Sequence, residues 1–224
     1  MKSILNFRAS VGLVFVSLFS LSSLFLSLLL VSSNSHAGAL DTYLPQGCYH
    51  SGQYQQNKTL KDMTKPLVTE GSFAFNCNYG LIWHTQLPIV ETAIYKTQGD
   101  YFILAKDTAP KKLDNRIYRA LGKLLNNLIG GNNEYLQQNF TIDERVNSVV
   151  LTPKNKQMKK FLQTLTISSL DKGIKLHLDV ADQETLDIQI FSQKSLESFE
   201  QNQCEQLADL QPKSCELLFK GLKP

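Results

Sequence analysis

Two hydrophobic periodicities run through this chain. In its C-terminal third, apolar and polar residues alternate strictly. Ile174, Leu176, Leu178 and Val180 take every second position around Lys175, His177 and Asp179, and Leu186, Ile188 and Ile190 do so around Asp187 and Gln189. Successive side chains of a strand point to opposite faces, so each run predicts a strand with one apolar and one polar side. Asp182-Gln183 supplies the turn between them, and Asp171-Lys172-Gly173 closes a preceding hairpin whose first strand carries Leu165 and Ile167. Earlier strands are expected over 49–58, 71–76 (extending back to 68), 80–85, 90–96, 101–106 and 148–151. Together they make a long, mainly β, antiparallel meander with one wet face and one dry face.

The period changes once. Ile117, Leu121, Leu124, Leu125 and Leu128 recur at helical spacing within 115–129, with Asp114 or Asn115 to cap the helix and Gly130-Gly131 to stop it. A second short helix is expected over 133–138. A helical pair set into an antiparallel sheet has its natural place across the dry face. A sheet that curls beneath such helices leaves an apolar cavity, whose expected lining is Phe73, Phe75, Leu81, Trp83, Ile103, Leu151, Leu176 and Ile188. The helix can then act as a lid, its apolar stripe inward and Arg116, Arg119, Lys123, Asn126 and Asn127 wet, with Gly122 and Gly130-Gly131 easing a hinge. The same periodicity equally allows a static plug of the core.

Four cysteines decide how the meander is fastened. A hairpin centred on Lys61-Asp62 sets Cys48 opposite Cys77 at its open end, and facing residues of antiparallel neighbours lie at the separation a disulfide needs. Cys204 and Cys215 then pair across a short turn containing Pro212. Zinc is the competing use, but there is no C-x-x-C, and Cys48 with His50 is too small a ligand set. No metal or cofactor is expected.

Composition adds the compartment. Lys2 and Arg8 precede an apolar run over 11–31 that holds five serines, and Ser35-His36-Ala37 offers small residues for cleavage. Residues 1–37 are therefore expected to be a signal peptide cleaved after Ala37, with residues 38–224 as one domain in the periplasm. An uncleaved anchor is the alternative, since the run is long enough to cross a bilayer. Beyond residue 37 stand 21 basic and 20 acidic side chains, a balance that argues against a nucleic-acid partner. A monomer is expected.

Catalytic signatures are missing: there is no G-x-S-x-G, H-E-x-x-H or glycine-rich phosphate loop. His177 falls on the polar side of its strand, where solvation is expected, and His84 follows Trp83 as a structural residue. Asp143 and Glu144 would point to opposite faces of an extended segment. No enzyme and no catalytic residue are expected.

Several motifs do carry a resemblance. Gly71-Ser72-Phe73-Ala74-Phe75, then Leu81-Ile82-Trp83 and Pro88, resembles the G-x-F-x-F and W-x-x-x-x-P signature of the LolA-type outer-membrane lipoprotein carriers. Tyr54-Gln55-Gln56 stands where that family has F-x-Q. Residues 127–142 are similar to its helical segment, and Leu151-Thr152-Pro153-Lys154 with Met158 and Phe161 to its L-x-P-K strand end. The resemblance covers roughly 50–192. It implies a half-open antiparallel β-barrel with a helical lid. It also implies a periplasmic carrier that shields acyl chains, taking lipoproteins from an inner-membrane export complex and passing them to an outer-membrane acceptor.

Departures come with it. Cys77 and Asn78 replace the family's Arg-Pro, whose arginine is thought to fasten the lid, so that latch does not carry over. The family's N-terminal helix is unsupported because Pro45 and Gly47 fall in its path, and the tail from Leu196 aligns with nothing. Lys58-Thr59-Leu60-Lys61 with Lys65-Pro66-Leu67-Val68 resembles a divergent branch tied to lipid or polyene export. Such a cargo, or a lipid-sensing interaction module, is the alternative reading.

Overall fold

The computed structural model describes residues 38–106, 108–114, 116–207, 210 and 212–220, so the leader expected over 1–37 lies outside the described residues. The first meander comprises β1 (Tyr49–Thr59), β2 (Leu67–Asn76), β3 (Gly80–Leu87), β4 (Glu91–Lys96), β5 (Tyr101–Ala105) and the two-residue β6 (Lys111–Lys112). The chain then crosses through helices α2 (Arg116–Ile129) and α3 (Asn133–Asn139). A second meander follows: β7 (Phe140–Arg145), β8 (Ser148–Pro153), β9 (Leu162–Leu170), β10 (Gly173–Val180) and β11 (Thr185–Ser195). A short α1 (Ala39–Tyr43) precedes the sheet; α4 (Gln201–Cys204) and α5 (Pro212–Phe219) follow it.

All strands join one 11-stranded antiparallel sheet in the order β6-β5-β4-β3-β2-β1-β11-β10-β9-β8-β7. The last strand thus returns to the first: Tyr54 faces Ile190 and Gln56 faces Ile188 at the centre. The end strands β6 and β7 do not pair, which leaves the sheet open as expected of a half-barrel. Paired lysines on β6 discourage a second chain from adding to that edge.

Register puts the expected dry-face residues on one face. Phe73 pairs with Trp83, Phe75 with Leu81 and Leu176 with Ile188, and all six are buried in one cluster. Helices α1, α2 and α3 pack over it through Leu40, Leu124, Leu128, Ile129 and Leu136. Gly131, at φ +62°, ends α2 where a side chain would be strained, and Asn132 donates its backbone N–H to the Asn127 carbonyl at 2.9 Å. Asn132 then accepts from the Tyr135 backbone N–H at 3.0 Å, capping α3. A helix therefore does form before Pro45, five residues long, and Leu44 closes it with an N–H bond to Leu40.

The outer face differs from the single wet side the alternation suggests. On β2–β4, Ala74, Ile82 and Ile94 point outward and are buried by the tail, under Phe199, Leu210 and Leu218. Asn76 donates to the Phe199 carbonyl at 2.8 Å, and the Phe219 ring lies 4.5 Å from that of Tyr79. The β9–β11 half keeps a wet outer side. There His177 bridges Asp187 at 2.8 Å and Asp179 at 3.3 Å instead of standing alone in solvent, and Lys175 reaches Asp187 at 3.0 Å. Burial raises the Asp187 carboxyl pKa, but hydrogen bonds and charge from His177 and Lys175 outweigh it and hold it below its ordinary value.

Candidate functional site

The site builds from the inner face outward. Its floor is aromatic: Trp83 stacks on Tyr54 at 3.9 Å and on Phe73 at 5.9 Å, and the Tyr54 hydroxyl bonds Thr85 Oγ1 at 2.7 Å. Tyr95, Tyr101 and Tyr118 continue the floor toward the helix, at 4.6 and 5.4 Å between successive rings. Burial pushes the Tyr54 and Tyr101 hydroxyls up to about 12 and Tyr95 well above its ordinary value, so this surface stays uncharged at neutral pH.

All eight residues expected to line a cavity lie on this one face. Phe73, Phe75, Leu81, Trp83, Leu151, Leu176 and Ile188 are buried in the core, and Ile103 is half-buried against it. They fill the interior of the half-barrel as packed side chains. The open space lies beside the helix, and of the eight only Phe75 borders it.

Helix α2 is buried at one end. Leu124 and Leu128 are 1% and 2% exposed, Leu121 and Leu125 half-buried, and Ile117 47% exposed. Arg116, Tyr118 and Arg119 are exposed as well, and the first turn is tied to the core through the Tyr118 ring stacked on Tyr101. Gly122 marks the closest approach: a Cβ there would lie 2.2 Å from the Tyr95 ring. Its lack of a side chain lets helix and sheet touch, a packing role beyond the hinge its sequence position suggests. Asn126 donates to the Tyr95 carbonyl at 3.1 Å, while its own Oδ1 is buried without a partner among the described residues.

Grooves flank the helix on both sides. One, of about 550 Å³, runs between α2 and the β4–β5 tip, past Tyr95, Tyr101, Lys96, Asp100, Arg119 and Lys123. The other, of about 370 Å³, lies between the first turns of α2 and the β8–β9 connection, over Ile117, Ala120, Met158 and Phe161. Both volumes fall within the range of about 300 to 1,000 Å³ usual for small-molecule sites.

Both expected disulfides are present, Cys48–Cys77 with Cα atoms 5.0 Å apart and Cys204–Cys215 at 5.8 Å. Cys48 and Cys77 stand opposite one another just beyond the Tyr49–Asn76 pair. Two such bonds fit an oxidising compartment. Cys77, standing where the resembled family carries its arginine, borders the larger groove as half of this bond. Neighbouring Asn78 accepts a hydrogen bond from Thr97 Oγ1 at 2.9 Å, tying the β2–β3 turn to the β4–β5 tip.

The histidines have structural partners. His84 Nδ1 lies 2.8 Å from Thr92 Oγ1 on the covered outer face. His50, fully buried beside Phe75, donates Nε2–H to the Gly47 carbonyl at 2.9 Å, which leaves Nδ1 unprotonated and without a partner among the described residues. Burial lowers its pKa, against a smaller upward push from that hydrogen bond. Among the described residues no cluster of side chains suits a metal ion.

No protein-family model matches the sequence, and no curated protein matches it at a significant level. Solved structures similar to it include a LolA superfamily protein from Nitrosomonas europaea, at TM-score 0.44 and 9% identity over 72% of this chain and 91% of that one. Another is a domain from Vibrio parahaemolyticus whose name assigns it to outer membrane lipoprotein sorting, at TM-score 0.41 and 8% identity over 75% and 93%. At such scores the functional reading rests on this chain's own geometry.

Proposed function

We propose that this protein is a periplasmic carrier that shields the acyl chains of lipoproteins, or of another acylated cargo, while they cross an aqueous space between membranes. The observation that carries this reading is the helix α2. It covers the apolar inner face of an open sheet, buries its C-terminal half, touches the sheet from its first turn through the half-exposed Tyr118 ring on Tyr101, and has a groove on either side. An acyl chain of about 15 methylenes loses roughly 12 kcal/mol on passing from a dry site to water, at about 0.8 per methylene, so a soluble carrier needs such a surface and release needs an equally apolar receiver. An inner-membrane export complex as donor and an outer-membrane acceptor fit that requirement. Raising the first turns of α2 would join the grooves to the Tyr101–Tyr95–Trp83 floor. Titration with an environment-sensitive fatty-acid probe tests the reading. Saturable binding by the folded monomer is expected, and its absence would overturn the carrier.

A further inference from the structure

The smaller groove has a charge pattern that its apolar floor does not require. Ile117, Ala120, Met158 and Phe161 form the trough, and Arg116 and Lys160 stand at its rim; among the described residues no carboxylate borders it. Neither cation enters an ion pair among the described residues. The imbalance extends beyond the rim. Helix α2 has three cations and no acid, and 154–161 adds Lys154, Lys156, Lys159 and Lys160, again with no acid. Seven of the 21 basic residues after position 37 lie in these two segments, leaving 14 against 20 acidic residues in the rest.

Arg116 also sits where a cation is disfavoured. It opens a 14-residue helix with no acid in its first turn, so its charge adds to the positive end of the helix dipole instead of offsetting it. Asp114, just before the helix, is drawn to Arg119 at 3.3 Å. A negative group at the rim would relieve this repulsion and collect charge-assisted hydrogen bonds from a guanidinium and an ammonium. The trough beneath takes an apolar chain.

We infer that the ligand of this groove is an anionic amphiphile, with a phosphate or carboxylate held between Arg116 and Lys160 and its acyl chain laid over Met158 and Phe161. The inference rests on the carrier reading and names the class of lipid it takes. Calorimetric titration with palmitoyl-lysophosphatidylglycerol and 1-monopalmitoylglycerol, each below the concentration at which it self-associates, tests the need for the anion. The chains are identical and only the first carries a phosphate. Preference for the phosphate-bearing lipid by about tenfold is expected at low ionic strength, shrinking as salt screens the rim. In R116Q/K160Q that preference should vanish while affinity for the uncharged monoglyceride and the melting temperature stay unchanged.

Equal affinity for both lipids, or a preference that survives the double substitution, would overturn the anionic class and leave the carrier reading standing. Binding of neither lipid would sink the carrier reading, and this inference with it. Glycerol 3-phosphate is the third arm. If it displaces the lysolipid, the rim recognises a free phosphate ester and the amphiphile is wrong; no displacement is expected, because the chain supplies most of the affinity.

Discussion

Strands β2–β5 carry a helical cover on each face, and the two covers are fastened differently. Outside, α4 and α5 are cross-linked by Cys204–Cys215, buried through Phe199 and Leu218, and tied to the sheet by Asn76 and by the Lys96 ammonium on the Lys220 carbonyl. Inside, α2 has no covalent tie, meets the sheet through Tyr118, Gly122, Leu124, Asn126 and Leu128, and leaves its first turn largely exposed beside open grooves. Apolar surface sealed with a cross-link serves stability. Apolar surface covered by a helix without a covalent tie is, on the carrier reading, the one to exchange its cover for a ligand.

The largest effects should come from the packed end of α2. Leu124→Ala or Leu128→Ala, each leaving a cavity in a fully buried site, should cost about 2 to 5 kcal/mol in denaturant unfolding. Removing the outer cross-link in C204S/C215S should cost about 2 to 3 kcal/mol on chain-entropy grounds and leave fatty-acid probe affinity unchanged. A loss of probe binding there would show that both covers serve the ligand.

A smaller effect separates the inner face by pH. His50 has its folded pKa depressed below 6.5 by burial, so the unfolded chain takes up the proton first. Its contribution to stability is intact above about pH 6.5, falls as pH drops below that value, and levels off below the folded pKa. His50→Gln should flatten that slope in a series of unfolding curves from neutral to acid pH. Smallest on stability is Ile117→Ala, within about 0.5 kcal/mol of wild type because the side chain is already exposed. Its fatty-acid probe affinity should nonetheless fall, and unchanged affinity would remove the first turn of α2 from the site.

How much of this the sequence showed follows the same division. Strict alternation in 174–180 and 186–190 fixes register residue by residue, because a slip by one position would put Leu176 and Ile188 in water. The hairpin about Lys61-Asp62 likewise sets Cys48 against Cys77 without knowledge of the rest. The outer cover escapes the alternation argument, although its signal is present. Phe73-Ala74-Phe75, Leu81-Ile82-Trp83 and Ala93-Ile94-Tyr95 are unbroken apolar runs, which mean burial on both faces, and a tail with two cysteines, Phe199 and Leu218 is the segment free to supply the second cover. The grooves were beyond periodicity. Helical spacing marks Ile117 and Leu128 as equals, and only the curvature of the sheet and the contact at Gly122 decide that one is packed and the other exposed.

Mobility of the inner cover can be tested by holding it shut. Gln98 on the β4–β5 tip and Lys123 on α2 border the larger groove from opposite sides, both exposed. All four native cysteines are in disulfides, so in Q98C/K123C the two new thiols are the ones a short bismaleimide can join. The comparison is fatty-acid probe affinity of the bridged protein against the same variant with each thiol capped singly. The account predicts saturable binding by the capped protein and its loss in the bridged one, with identical circular dichroism. Equal affinity in the two would make α2 a static part of the core and contradict the carrier mechanism.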